Sequence, residues 1–247
     1  MKLSLADPKY LKDSISIIAD IVNSAKLSIK KDYIELVAMD GANVAMIIFK
    51  LFSSTFVEYE LEKEEDISID LSLLKQVLKR AKSNDILTIE IENNRLKLTM
   101  KGNSTKTFYL PLLDFEEKEQ KIPQLKFPMK VKTQASILSE AIEDVNIIAE
   151  AVAFVGEKNK LNINAEGETS KAKIEIPTDD NTTIEYSGND MIKSRYSIEY
   201  LKKMMAASKL SDIVEIQFDK DYPLFMEFKD IDKLHLAFIL APRVDND

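Results

Sequence analysis

Few of the side chains that carry reaction chemistry occur in this sequence. There is no cysteine and a single histidine, His235. Thiolate zinc sites, cysteine nucleophiles, disulfide frameworks and every two-histidine metal motif, the helical HExxH pair included, are therefore excluded. His235 stands in Leu234-His235-Leu236-Ala237-Phe238, on the polar parity of an alternating run, which is an exposed strand position rather than the place of a general base. Neither the P-loop nor the dinucleotide-binding glycine pattern occurs, and the chain holds only five glycines. Carboxylates number 42, so pairs such as Asp179-Asp180 and Glu116-Glu117 follow from composition. Asp40, Asp66 and Asp70 could in arithmetic form a two-metal nuclease site, but nothing in their spacing selects one. The sequence reads as that of a protein that is not an enzyme, with no catalytic residue, metal ligand or cofactor to assign.

Its cations are better placed than its acids. Lys75, Lys79 and Lys82 recur at i, i+4 and i+7 opposite the apolar stripe Leu71, Leu74, Val77, Leu78 and Ala81, with Arg80 alongside. A second segment repeats the pattern with Lys202, Lys203 and Lys209, and the first helical segment carries Lys9 and Lys12. Such faces suit a DNA backbone, because phosphate contacts need charge and no base-edge chemistry, and the binding is sequence-independent and salt-sensitive. The whole chain is acidic, 34 basic against 42 acidic residues giving −8, which opposes indiscriminate nucleic-acid binding by the rest of its surface. Glu140, Glu143 and Asp144 expose acids on a third helical segment, where a uniform cationic surface would carry lysine.

The elements that hold these faces come as a tandem repeat. Ser72 to Ile91 lies over Glu199 to Phe218 without a gap, at an offset of 199 − 72 = 127. Asp40-Gly41 matches Glu166-Gly167, and Phe108-Tyr109-Leu110-Pro111 is echoed by Phe238-Ile239-Leu240-Ala241-Pro242. Helical periodicity appears twice per copy: Tyr10 to Val22 and Leu71 to Ala81, then Leu138 to Ile148 and Leu201 to Met205. Nearly everything else alternates with period two, as in Leu87-Ile89-Ile91 or Leu234-Leu236-Phe238-Leu240, so the strands predict antiparallel sheets apolar on one face. The fold class is therefore α+β, two similar domains of antiparallel sheet, each covered on one side by two helices. Asp114 to Phe127 is charged and lacks apolar periodicity, which divides the chain into domains 1–114 and 128–247 joined by a linker, 115–127.

In their order and spacing around this duplication, several segments resemble the sliding clamps of the proliferating cell nuclear antigen family, its archaeal members above all. They are Leu36-Val37-Ala38-Met39-Asp40 followed by Val44, Ile122-Pro123, Ala165-Glu166-Gly167-Glu168, Tyr222-Pro223-Leu224 and Leu240-Ala241-Pro242-Arg243-Val244. The resemblance spans the chain and implies a trimeric ring around duplex DNA, helices inward, tethering DNA polymerase and docking a clamp loader, ligase and nuclease. Lys9, Lys12, Lys75, Lys79, Arg80, Lys82, Lys202, Lys203 and Lys209 would then face DNA.

By the same resemblance, the edge segments Ser104 to Leu110 and Lys171 to Ile176 would pair between subunits, through Lys106, Phe108 and Leu110 on one side and Ala172, Ile174 and Ile176 on the other. Pro177, without an N–H, suits the end of such a strand. Partners carrying a short motif with an aliphatic plug and aromatic anchors would dock on Asn43, Val44, Met46, Ile122 and Pro123, together with Pro223, Ile239, Ala241, Pro242 and Val244. The acidic third helical segment leaves homotrimer and heterotrimer open, and a peptide-binding adaptor that never encircles DNA is the alternative. The opening residues lack a signal-peptide run and no segment has the apolar length of a membrane span, so the expected location is the cytoplasm at the nucleoid, or a nucleus.

Overall fold

The computed structural model describes residues 1–114 and 120–244. Residues 115–119 of the expected linker, Glu116-Glu117 among them, and 245–247 lie outside the described residues. The first half runs β1 (Lys2–Leu5), α1 (Lys9–Ile18), β2 (Ser24–Ile29), β3 (Tyr33–Met39), β4 (Ala45–Phe52), β5 (Glu58–Glu60), β6 (Glu65–Asp70), α2 (Leu71–Leu78), β7 (Ile86–Glu92), β8 (Arg95–Lys101) and β9 (Thr105–Pro111). The second follows the same plan: β10 (Met129–Gln134), α3 (Ala135–Asn146), β11 (Ala151–Glu157), β12 (Lys160–Glu166), β13 (Lys171–Pro177), β14 (Thr183–Tyr186), β15 (Ile192–Ser197), α4 (Ile198–Met205), β16 (Ile213–Phe218), β17 (Leu224–Asp230) and β18 (Leu234–Leu240).

Two compact units result. The first comprises Met1–Gly41, Ile47–Ile122 and Asp230–Leu236; the second comprises Ala42–Met46, Pro123–Lys229 and Ala237–Asp247. In the first half, strands neighbour one another in the orders β5-β1-β7-β8-β9 and β4-β3-β2-β6. The second half repeats this as β14-β10-β16-β17-β18 and β13-β12-β11-β15. Each half also carries a helix pair, α1 on α2 and α3 on α4, that packs against strands of both its sheets.

The helices bury the stripes their periodicity predicts. Leu11, Ile15 and Ile18 of α1 and Leu138, Ile142 and Val145 of α3 are buried, as are Leu71, Leu74, Val77 and Leu78 of α2 and Ile198, Leu201, Met204 and Met205 of α4. Asp70 caps α2, its carboxylate accepting the Leu73 N–H at 2.9 Å.

Three expectations are corrected. Helix α1 stops at Ile18, so Ile21 and Val22 lie in the turn beyond it, and Ile148 likewise follows the end of α3. Helix α2 stops at Leu78, because the N–H groups of Arg80 and Ala81 turn back to the Val77 and Leu78 carbonyls and tighten the last turn; Lys79, whose N–H still reaches the Lys75 carbonyl, follows Lys75 on one face, while Lys82 lies beyond the helix. Finally, β4, β11 and β18 are buried on both parities over most of their length. In β18 the intervening Ala237 and Ile239 are apolar too, so period two describes only its opening residues, where His235 is half-buried rather than exposed.

Candidate nucleic-acid interface and partner surfaces

The cations of the first unit lie on α1, on α2 and on the turn after α2. Lys9, Lys79, Arg80 and Lys82 are exposed. Lys75 pairs with Asp20 at 2.5 Å, and Lys12 Nζ donates to the Ala81 carbonyl at 2.9 Å, strapping α1 to that turn. Sequence reasoning missed Asp85, which organises the same turn. This buried carboxylate accepts the Lys82 N–H at 3.0 Å and lies 3.7 Å from Lys106 Nζ, while Lys106 also donates to the Arg80 carbonyl at 3.2 Å. Gly102 leaves room for it, since a Cβ there would stand 2.0 Å from Asp85 Oδ1. The repeat that aligns Asp85 with Asp212 was the available signal.

In the second unit, Glu140, Glu143 and Asp144 of α3 are exposed, as the sequence predicts. Lys202 pairs with Glu143 at 2.9 Å and Lys203 with Glu199 at 2.6 Å, one turn back on α4, which holds the Glu199 carboxyl below its usual range. Lys209 is exposed beyond α4.

Strands β9 and β13 are each the edge of their sheet, paired on one side only among the described residues. Lys106, Phe108 and Ala172, Ile174 are half-buried and Leu110 and Ile176 are buried, while the alternate residues are exposed. Both strands end in proline, Pro111 and Pro177.

The residues assigned to a partner pocket fall mostly in the second unit. Asn43 is exposed with φ 57°, a left-handed conformation that asparagine tolerates, and begins the turn into β4. The Ala241 N–H donates to the Val44 carbonyl at 2.9 Å and the Arg243 N–H to the Arg195 carbonyl at 2.7 Å, so the segment after β18 is held at its start and end. Tyr222, before Pro223, is held through its carbonyl, which accepts from Tyr196 at 2.8 Å and Ser194 at 3.2 Å. Phe127 packs its ring on Tyr222 and Phe225 at 5.8 and 6.4 Å between centroids. Val44, Pro223, Ala241 and Pro242 are half-exposed and Pro123 is exposed, whereas Met46 and Ile239 are buried, only 5% and 8% accessible. Ile122 and Val244 are open, at 45% and 77%.

The acids considered for metal work have other duties. Asp70 is a helix cap, Asp66 pairs with Lys26 at 3.2 Å, and Asp40 is buried. Among the described residues, no three histidines or acids gather as metal ligands, and no helix is long and apolar enough to cross a membrane.

Comparison with known proteins agrees with the two-domain fold. The family model of the proliferating cell nuclear antigen N-terminal domain matches residues 1–120, and that of the C-terminal domain matches 121–243. The DNA polymerase sliding clamp of Nanoarchaeum equitans is 34% identical over 249 residues, covering 99% of this chain and 100% of that protein. DNA polymerase sliding clamp 1 of Thermococcus kodakarensis is 34% identical over 238 residues, 96% of each chain. The crystal structure of PCNA from Thermococcus kodakaraensis superposes with a TM-score of 0.91 at 26% identity, over 98% of this chain and 99% of that one. Matched end to end by both domain models and by these relatives, the chain belongs to the proliferating cell nuclear antigen family.

Proposed function

We propose that this protein is a DNA sliding clamp, a ring of three subunits that encircles duplex DNA, tethers DNA polymerase and docks other replication and repair proteins. The observation that carries the reading is the likeness of the two sheet edges. Strands β9 and β13 have the same length, the same burial alternation and the same terminal proline, and each presents a row of backbone groups that no strand pairs among the described residues. Such edges are an aggregation liability in a lone chain, and head-to-tail pairing around a closed ring removes both at once.

The cationic helix faces support the DNA part. A net charge of −8 over the whole chain, with lysine and arginine gathered beside the helices, suits a protein held on DNA by topology and not by affinity. Pro123, Pro223, Ala241 and Pro242, with Met46 and Ile239 beneath, form the proposed seat for the short hydrophobic and aromatic motif of polymerase, clamp loader, ligase or nuclease. Nothing in this function calls for a catalytic group.

Light scattering over a dilution series tests the ring: three times the 28.1 kDa of one chain is expected. Retention on circular but not on linear duplex DNA tests encirclement, and a monomer with no such retention overturns the reading. A chain that reaches trimer mass only with related subunits would instead support a mixed ring, a second reading favoured by the acidic α3.

A further inference from the structure

The two helix pairs of this duplicated chain do not carry the same charge. Their buried stripes fix the equivalence: Leu11, Ile15 and Ile18 fall on Leu138, Ile142 and Val145, and Leu71, Leu74 and Leu78 on Ile198, Leu201 and Met205, all at an offset of 138 − 11 = 127. In that register, Lys9 and Lys12 are replaced by Ser136 and Ser139, and Lys79 and Arg80 by Ala206 and Ala207. Ser16 becomes Glu143. Residues 9–21 and 71–82 hold six basic and two acidic side chains, net +4, while the equivalent 136–148 and 198–209 hold three basic and four acidic, net −1.

The structure sharpens the contrast. Among the described residues, Lys202 and Lys203 spend their charge on Glu143 and Glu199, and only Lys209 stands exposed against Glu140 and Asp144. Where Lys12 reaches across to the Ala81 carbonyl in the first unit, the second leaves a groove of about 630 Å³ lined by Ser136, Ser139, Ser208 and Asp212. Phosphate binding draws on counterion release from cations that are not already neutralised, and screening confines each carboxylate's opposition to about 8 Å, so the local balance decides.

We infer that, within each subunit, contact with the DNA backbone is carried by the first unit's helix pair and the turn after α2, and that the second unit's helix pair is an electrostatically self-satisfied face that duplex DNA avoids. A ring of three such subunits would then hold three phosphate-binding helix pairs and not six. This rests on the reading of the chain as a clamp.

The test uses the whole protein and a duplex of roughly 30 base pairs, with binding followed by fluorescence anisotropy from about 50 to 200 mM salt and assembly followed by light scattering. Reversing Lys79, Arg80 and Lys82 to glutamate is expected to weaken binding at least about tenfold and to flatten the log–log salt slope by about 2 to 3. Reversing Lys202, Lys203 and Lys209 should cost no more than about threefold, since two of the three are already paired. Ser136→Lys with Ser139→Lys, which restores the first unit's residues to the second, should tighten binding and steepen the slope by about 2. Equal losses from the two reversals, or no gain from the restored lysines, would overturn the inference while leaving the clamp reading intact. A wild-type chain that forms no ring and binds no duplex at low salt would overturn both.

Discussion

The hydroxyl of Tyr10, on α1, donates to the carboxylate of Asp230, 220 residues further along, and Lys233 Nζ approaches the same pair at 3.4 and 3.5 Å. Ser54 and Thr55 donate to the carbonyls of Asp232 and Lys233, and the Phe52 N–H does so to Lys233 at 3.0 Å. The turn between β17 and β18 is thus clasped into the first unit by groups from two places in its chain, α1 and residues 52–55. The hydrogen bond to Asp230 holds the Tyr10 hydroxyl above its usual pKa.

Tyr10→Phe removes that donor and leaves a charged acceptor with only Lys233. The loss is expected to be about 1 to 2 kcal/mol, since the site is partly open to water. At about 2 to 4 °C per kcal/mol for a chain of this size, thermal denaturation should show a fall of about 2 to 8 °C. An unchanged melting temperature would show that the clasp rests on Phe52, Ser54 and Thr55 without Tyr10.

Two other tyrosines set an alkaline limit. Burial, with Asp32 adding to it, pushes the Tyr59 hydroxyl up to about 12, and burial raises that of Tyr196, whose hydroxyl is bonded to the Tyr222 carbonyl. A raised folded-state pKa means that stability is complete below the unfolded value of 10 and is lost as pH rises from there through the folded value. Circular dichroism should therefore show the protein losing stability from about pH 10 to 12, with Tyr59→Phe less sensitive across that window. An equally steep loss in the Phe variant would assign the alkaline limit elsewhere.

Phe108 lies half-buried on β9 in a row with Lys106 and Leu110. Phe108→Asp should leave the circular dichroism spectrum unchanged and lower the mass in light scattering toward 28.1 kDa. Full assembly by that variant would remove β9 from the subunit contact.

Pro242 is half-exposed and follows the Ala241 N–H that is bonded to Val44. Placing a charge there as Pro242→Asp puts an unpaired carboxylate against any apolar anchor. Affinity for an aromatic-anchored peptide, measured by calorimetry, should fall by more than about tenfold with assembly intact. Unaltered affinity would move the partner site elsewhere.

The buried stripes of all four helices were legible in the sequence, because a wrong helical phase would have put Leu11 or Leu201 in water. The tandem repeat was legible for a related reason: both halves must bury the same positions. The length of α2 was not, since Lys79 and Arg80 are good helix formers and what stops the helix is the return of the Arg80 and Ala81 amides to Val77 and Leu78. The burial of both faces of β11 and β18 was hidden because alanine and glycine at Ala151, Ala153, Gly156 and Ala237 give period two little contrast. Among the candidate DNA-facing lysines, sequence gave their places on or beside helices and missed their partners. Whether Lys202 meets Glu143 depends on how α3 packs on α4, which no spacing within either helix encodes.

The prolines that end β9 and β13 bear on how such a ring could come apart. Neither Pro111 nor Pro177 has an amide hydrogen to offer, so neither can donate a rung at the end of a ladder between the two strands. If the two strands pair between subunits, seven residues at about 3.3 Å each would make a seam of about 23 Å. A joint of that kind would behave as a latch: secure while every rung is made, and released in one cooperative step once the first few are pried apart.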